Sequence, residues 1–242
     1  MTTGGRYILA TCFIVVGLLA IMPSLKRDGV LRDGPSLHTR LKRITGFSKQ
    51  LKFIHVTKSG GTSVENAGIA AGIMWGRAHK EYGWWHELFP RKPSALKEKY
   101  DWFTVVRNPM SRMVSEFHCR WGGVGDNVAQ HNVSSFNEFL QRNIIGKAYL
   151  GVGDHYSAQV LYMDPDIPVR VLRFENLTAE FDELMTEYGL DVSLQFANHM
   201  PHKFSEHDFY PSTIALIRET YADDFTHFGY PTGIANTMKE GG

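Results

Sequence analysis

The sequence is poor in cysteine and carries almost no net charge. Its 242 residues include two cysteines, and one of them, Cys12, lies in an apolar N-terminal segment. The rest of the chain keeps only Cys119 and cannot form an internal disulfide, so the cysteine content does not decide the redox compartment. The formal net charge of +1 argues against a dedicated nucleic-acid-binding protein, because such proteins usually present a strongly basic face.

The sequence also lacks internal repeats, low-complexity blocks and a G-x-x-x-x-G-K-[ST] phosphate loop of the kinase type. It does have an ordinary share of apolar residues, 43% of the chain. A chain of this length and composition is large enough to bury one sizeable hydrophobic core. We therefore expect one globular domain of ordinary size.

The N-terminus contains a long uncharged segment, Tyr7–Leu25. About twenty apolar residues span a bilayer as a helix. A buried core helix and a cleaved signal peptide are the alternatives, but no polar face is visible and no convincing cleavage site follows. We predict that residues 1–25 form a short cytosolic tail and an uncleaved transmembrane anchor. Residues 26–50 would then form a polar stem, and residues 51–242 the folded domain.

Charges around this segment do not settle its orientation. Arg6 is the only positive side chain before it, whereas several follow it: Lys26, Arg27, Arg32, Arg40, Lys42 and Arg43. By the positive-inside rule, this excess would leave the C-terminal domain in the cytosol. Two glycosylation sequons, at Asn132 and Asn176, weakly favour the opposite orientation. The sequence alone therefore leaves the orientation open.

Strand-like and helix-like segments alternate along the rest of the chain. The predicted strands are Leu51–Thr57, Trp102–Val106 and Val169–Leu177, and the predicted helices are Thr62–Gly72, Pro109–Trp121, Thr178–Leu190 and Pro211–Phe225. This alternation predicts an α/β fold with a mostly parallel central sheet and helices on both faces. Such sheets bind ligands at the carboxyl ends of their strands.

The turn after the first strand has the composition of an anion site. Ser59, Gly60, Gly61, Thr62 and Ser63 lead directly into a helix, and a lysine precedes them. Backbone N–H groups and the helix dipole favour a phosphate or sulfate at such a point, and glycine lets the ligand approach closely. The alternative is a simple helix cap formed by a hydroxyl side chain. The preceding Lys58 favours the anion site.

The second strand ends at an arginine in a similar position. Arg107 can present its planar guanidinium to a phosphate, and Ser115, two helical turns later, can donate to the same group. A surface ion pair for Arg107 and a neutral surface serine are the alternatives. Arg112 is a less certain member, because helical spacing would equally pair it with Glu116.

Two sequence motifs resemble those of a known enzyme family. "IHVTKSGGTSVE" resembles the 5′-phosphosulfate loop of sulfotransferases that use 3′-phosphoadenylyl sulfate (PAPS), and "VVRNPMSRMVSEF" resembles their 3′-phosphate motif. Their form is most similar to membrane-bound carbohydrate O-sulfotransferases, including the heparan sulfate 2-O type. Further similarity in "DHYSAQVLYM", "VLRFENL" and "YADDFTHFGY" extends the resemblance over roughly Leu51–Tyr230. It implies a P-loop-like nucleotide-binding sulfotransferase fold.

The resemblance also implies roles for these residues. Lys58 would bind the transferred sulfate and the bridging oxygen, and Arg107 and Ser115 the 3′-phosphate. The 5′-phosphate would lie among five loop residues: Ser59, Gly60, Gly61, Thr62 and Ser63. PAPS is thus the expected co-substrate. No metal is expected, because the spacings in the histidine-rich stretch Asn198–Tyr210 match no zinc signature.

Sulfuryl transfer also needs a base for the acceptor hydroxyl, and His86 is the leading candidate. Histidine titrates near neutrality, and "EYGWWHELF" lies where the 2-O type carries its catalytic histidine. A histidine merely packed against aromatics, and Glu65 as the base, are the alternatives. By resemblance, His155 would contact the acceptor, and Trp85 could stack on a sugar. His55 is interpreted as an ordinary strand residue.

The combined prediction is transfer of a sulfuryl group from PAPS to a hydroxyl of a carbohydrate acceptor. The resemblance implies a single-pass type II Golgi membrane protein with a lumenal catalytic domain. A nucleotide-dependent kinase on a similar fold and a non-catalytic glycan-binding protein are the alternatives. Lys58 precedes the glycines, and no acidic pair for Mg²⁺ follows a strand, which disfavours the kinase. The oligomeric state is left open.

Overall fold

The computed structural model describes residues 49–76, 86–150, 154–195 and 202–234. Within them, three strands form one parallel sheet in the order β1 (Leu51–Ile54), β2 (Asp101–Val106) and β3 (Val169–Arg173). Phe53 lies opposite Phe103 in the first pair of strands, and Val105 lies opposite Leu172 in the second. The sheet confirms the predicted parallel α/β class.

Seven α-helices surround this sheet in the described part of the chain. They are α1 (Gly61–Ala70), α2 (Ser94–Lys99), α3 (Pro109–Phe117), α4 (Val133–Ile144), α5 (Leu177–Glu187), α6 (Pro211–Thr220) and α7 (Ala222–Phe228). Short 3₁₀ turns connect several of them, including Gln159–Tyr162 and Phe174–Asn176. Each strand is followed by a tight turn and a helix, which is the pattern that the sequence predicts.

Alternate residues of β2 point to two separate cores. Phe103 and Val105 pack with apolar residues of α1 and α5, including Val64 and Phe181. Side chains of successive strand residues point to opposite faces. Trp102 accordingly packs in a second cluster, with Phe89 and Tyr162 among others. The strands are apolar on both faces because both faces are covered.

The largest core lies among α3, α4, α6 and α7. Phe117 at the end of α3 packs edge-on against Phe136, Phe139 and Phe204, with ring centroids 4.8 to 5.6 Å apart. Val106 at the end of β2 belongs to the same cluster, so this core supports the carboxyl edge of the sheet. The predicted arrangement of helices on both faces of the sheet is confirmed.

Two predicted strands are too long. β1 ends at Ile54 instead of Thr57, because the carbonyl of Thr57 accepts a hydrogen bond from the side chain of Arg112 rather than from a strand. β3 ends at Arg173, and the chain turns there into α5.

Two predicted helices are also too long. α3 ends at Phe117 because the chain folds back, so that the N–H of Val124 donates to the Phe117 carbonyl. The C-terminal helix is interrupted at Tyr221, whose backbone leaves helical geometry (φ −111°, ψ 29°). The buried hydroxyl of Tyr221 donates to the Tyr156 carbonyl, which fixes the interruption.

The predicted membrane anchor and nearly all of the predicted stem lie outside the described residues, which begin at Lys49. Among the residues that the structure does describe, no helix is long and apolar enough to cross a membrane.

Candidate active site

The loop between β1 and α1 has the geometry of an anion site. Gly60 adopts the left-handed conformation (φ 83°) and precedes the first helical residue, and no side chain caps this helix. The hydroxyls of Thr62 and Ser63 therefore do not serve as caps, although a cap was the alternative reading of this sequence. Backbone amides at an uncapped helix start attract an anion. The arrangement suits the 5′-phosphosulfate of PAPS.

Lys58 is held in an unusual backbone conformation. Its φ of 62° makes it the only non-glycine residue with positive φ in the described part of the chain. An L-residue in this conformation costs roughly 1–2 kcal/mol. Such strain persists where the surrounding structure enforces it, and it is concentrated at functional sites.

Arg107 follows β2 directly and is held by three contacts. Its Nε donates to Ser111 Oγ (2.9 Å), its Nη1 donates to the Lys58 carbonyl (3.3 Å), and its guanidinium lies 4.1 Å from the ring centre of Phe174. Burial lowers the pKa of Arg107 to about 10, although Glu175 and Glu206 oppose this shift. The guanidinium therefore remains charged at neutral pH and is oriented before any ligand binds.

Ser115 lies buried on α3, and the serine that contacts Arg107 is Ser111. Sequence reasoning missed Ser111, because Arg107 precedes the helix and helical spacing does not relate the two residues. The role of Ser115 at the 3′-phosphate stays a prediction.

Gln159 joins the two turns that are predicted to bind the nucleotide. Its Oε1 accepts from the N–H of Arg107 (2.9 Å) and from Ser59 Oγ (3.3 Å), and its Nε2 donates to the Arg107 carbonyl (2.8 Å). Ser59 is fully buried, so its hydroxyl fixes the loop through its hydrogen bond to Gln159 and does not face solvent. Gln159 was not predicted, although it lies within the quoted stretch "DHYSAQVLYM".

Arg112 does not pair with Glu116, as helical spacing had suggested. It is fully buried, and its Nε donates to the Thr57 carbonyl (3.0 Å). Its Nη2 donates to the carbonyls of His155 (3.2 Å) and Ser157 (2.9 Å). Arg112 thus connects the start of the loop between β1 and α1, called the phosphate loop below, to the segment that carries His155.

Three histidines lie in a row beside the phosphate loop. The rings of His55 and His86 are 4.6 Å apart between centroids, and those of His86 and His155 are 6.1 Å apart. A buried carboxylate stands at each end: Glu65 lies 3.8 Å from His55, and Glu116 lies 3.0 Å from His155. The structure therefore brings His86 and His155 together, as a shared active site requires.

Sequence patterns predict an ordinary packed strand residue at His55, and the structure shows a buried side chain whose ring adjoins that of His86. His55 lies just beyond the end of β1 and is buried beneath the phosphate loop. A Cβ on Gly61 would come within 2.3 Å of His55 Nε2, so the close contact of loop and imidazole requires glycine at that position. Trp85, the predicted sugar-stacking residue, lies outside the described residues.

Cys119 extends this row beyond His155. Its Sγ lies 3.9 Å from His155 Nδ1. Burial raises the pKa of the Cys119 thiol, but the contact with His155 and the charge of Lys58 outweigh burial and bring it to about 7. Contacts with Cys119 and Glu116 raise the pKa of His155 to about 9.

A profile of the sulfotransferase family matches residues 47–231. The chain belongs to the sulfotransferase family. The match covers most of the chain and contains both nucleotide-binding turns and all three histidines. No curated protein and no solved structure gives a significant match.

Membership identifies the protein as an enzyme that transfers a sulfuryl group from PAPS. It favours sulfotransferase activity over the kinase and glycan-binding alternatives. The geometry fits the co-substrate, because an uncapped helix start and a fixed guanidinium follow neighbouring parallel strands. Which residues bind each phosphate stays a prediction from these positions.

The strained backbone of Lys58 predicts that two substitutions there lower activity equally but differ in stability. Lys58→Gly and Lys58→Ala both remove the ammonium, so each should lower kcat by about 10²–10³-fold, as for loss of one charge-stabilising group. Only glycine relieves the positive φ, so Lys58→Gly should be more stable than Lys58→Ala by about 1 kcal/mol. Urea unfolding measures the difference, and equal stabilities would contradict the strain.

The buried guanidinium of Arg112 predicts a large stability effect. Arg112→Met leaves three buried carbonyls without their donor and should lower the free energy of unfolding by about 3–5 kcal/mol. Arg120→Met is the matched control, because the exposed Arg120 pairs with Asp126 at the surface and should cost less than about 1 kcal/mol. Urea unfolding of both variants tests this, and similar losses would refute the role of Arg112.

Proposed function

We propose that this sulfotransferase transfers the sulfuryl group to a hydroxyl of a carbohydrate, with His86 as the base. Membership of the family gives sulfuryl transfer from PAPS. The resemblance to the heparan sulfate 2-O type adds the carbohydrate acceptor and the histidine base. The observation that carries it is the position of His86, between His55 and His155 and beside the phosphate loop. A base must lie near both the sulfuryl donor and the acceptor, and a position between the phosphate loop and the proposed acceptor residue His155 supports this role.

A backbone contact supports one particular protonation state of His86. Its Nδ1 lies 3.4 Å from the His55 carbonyl. A carbonyl can only accept, so this contact favours a proton on Nδ1 and leaves Nε2 as the basic nitrogen. Glu65, the alternative base, is 2% exposed and lies next to His55 at the far end of the row. The geometry therefore favours His86 over Glu65.

The proposed reaction is a single displacement at sulfur. The acceptor oxygen forms a bond to sulfur while the bond from sulfur to the bridging phosphate oxygen breaks. His86 takes the hydroxyl proton on Nε2, and adenosine 3′,5′-bisphosphate leaves. Lys58 stabilises the negative charge that develops on the bridging oxygen, and Arg107 holds the nucleotide in place. Positioning and electrostatics supply most of the rate enhancement in related group transfers.

An exposed tryptophan supports a carbohydrate as the acceptor. Trp121 is 83% exposed. It directly precedes Gly122, where a Cβ would lie within 2.8 Å of His155. An aromatic face at the rim of a site can cover the apolar face of a sugar ring. Trp121 thus adds to Trp85, which the sequence predicts for the same purpose.

A panel of acceptors with labelled PAPS tests this proposal. Polysaccharides should accept the label, whereas a tyrosine peptide and a simple phenol should not. Transfer to the peptide or the phenol but to no polysaccharide would refute the carbohydrate acceptor.

On the best acceptor, His86→Gln should lower kcat by about 10²–10⁴-fold, the usual scale for loss of a general base. Its affinity for adenosine 3′,5′-bisphosphate, measured by calorimetry, should not change. Glu65→Gln is the matched control and should retain more activity than His86→Gln, with the unfolding midpoint of both variants recorded. The reverse order would assign the base to Glu65.

We also propose a lumenal, Golgi-type location with a single N-terminal anchor. Both sequon asparagines, Asn132 and Asn176, are exposed, so an oligosaccharide could be attached at either. In sealed microsomes the C-terminal domain should resist protease until detergent is added. Glycosidase treatment should increase gel mobility, and Asn132→Gln with Asn176→Gln should abolish that change. Digestion without detergent would show that the domain faces the cytosol.

A further inference from the structure

Three side chains that commonly bind metals converge next to the histidine row. The ligand atoms of Glu116, Cys119 and His155 all lie within 4.8 Å of one another. Glu116 belongs to α3, Cys119 follows its end, and His155 comes from a segment 36 residues after Cys119. Glu116 and Cys119 are buried, whereas the side chain of His155 is 26% exposed and provides a path from solvent.

A single ring nitrogen faces the other two side chains of this cluster. His155 Nδ1 lies 3.0 and 3.1 Å from the two Glu116 oxygens and 3.9 Å from Cys119 Sγ. One ring nitrogen carries at most one hydrogen, which cannot point at a carboxylate and a sulfur together. In the part of the chain that the structure describes, the fully buried Glu116 carboxylate has no other side-chain hydrogen bond. The buried carboxylate is therefore paired with one partly exposed imidazole.

The spacing of these ligand atoms suits a zinc ion. Zinc lies about 2.3 Å from sulfur and about 2.0–2.2 Å from nitrogen or oxygen, so tetrahedral ligands are roughly 3.3–3.6 Å apart. The observed separations from His155 Nδ1 lie on either side of that range, so small side-chain movements would seat the ion. One thiolate and one carboxylate also neutralise a divalent cation, so the ion would not leave a net charge buried among these ligands.

We propose that Glu116, Cys119 and His155 bind Zn²⁺, with the fourth position open to water. The combination of thiolate and imidazole selects zinc over Mg²⁺ or Ca²⁺. Gly122 makes room for the site, because a Cβ there would lie 2.0 Å from Glu116 Oε1 and 2.8 Å from His155 Nδ1. Sequence spacing gave no sign of this site, since its ligands come from separate segments and not from the histidine-rich Asn198–Tyr210.

Cobalt absorption tests the site directly on the purified full chain. The protein is stripped with a chelator, kept reduced with a phosphine and titrated with Co²⁺, a coloured substitute for Zn²⁺. A thiolate-to-cobalt charge-transfer band should appear, saturate at one Co²⁺ per chain and disappear when Zn²⁺ is added. Absence of this band in the wild-type protein would overturn the proposal.

The two cysteines provide a matched pair of variants, because the sequence contains only Cys12 and Cys119. Cys119→Ser should abolish the band, whereas Cys12→Ser should retain it. Glu116→Gln should weaken Co²⁺ binding by about tenfold or more, on the scale seen when a group supporting a metal site is lost. Thermal melting without metal checks the fold of each variant. A band that survives Cys119→Ser or is lost in Cys12→Ser refutes the site, even if Glu116→Gln fails to fold.

Discussion

The active site depends on the buried guanidinium of Arg112. It donates to the carbonyl and the hydroxyl of Thr57, just before the phosphate loop, and to two carbonyls in the segment that carries His155. In the proposed reaction the phosphate loop holds the sulfuryl donor, and the His155 segment lies on the acceptor side. A fully buried cation with four hydrogen bonds cannot move without losing several of them. Arg112 therefore fixes the distance between the two halves of the reaction.

Charge in the site is balanced locally, which explains how a near-neutral protein can bind a polyanion. Arg107 donates to the Lys58 carbonyl in the phosphate loop, and the buried Arg112 donates to the Thr57 carbonyl just before it. Buried carboxylates lie behind these cations. Burial raises the pKa of Asp224, the charge of Arg112 opposes that rise, and the ionised group accepts from the N–H groups of Gln159 and Val160. The formal charge of +1 therefore says little about the field at the site.

Sequence patterns predicted the parts of this site that depend on local geometry. A strand followed by glycines and a helix defines an anion site within a few residues, so the loop after Lys58 and the turn at Arg107 could be located. Arg112 and Gln159 could not, because their partners lie 43 to 100 residues away in the chain. Helical spacing predicted only the nearby Glu116 as a partner of Arg112. The strand ends were misplaced for the same reason, since distant side chains satisfy the backbone there.

The site is built from groups that are unfavourable where they stand. Lys58 has a strained backbone. Burial destabilises the charged form of Arg107, and the Glu116 side chain is fully buried. Each such feature costs on the order of 1–3 kcal/mol. The opposing stabilisation comes from the aromatic core around Phe117, which lies directly beneath, because α3 carries both Phe117 and Arg112. The apolar face of that helix holds the polar face in position, so the rigidity of the core and the order of the active site have the same origin.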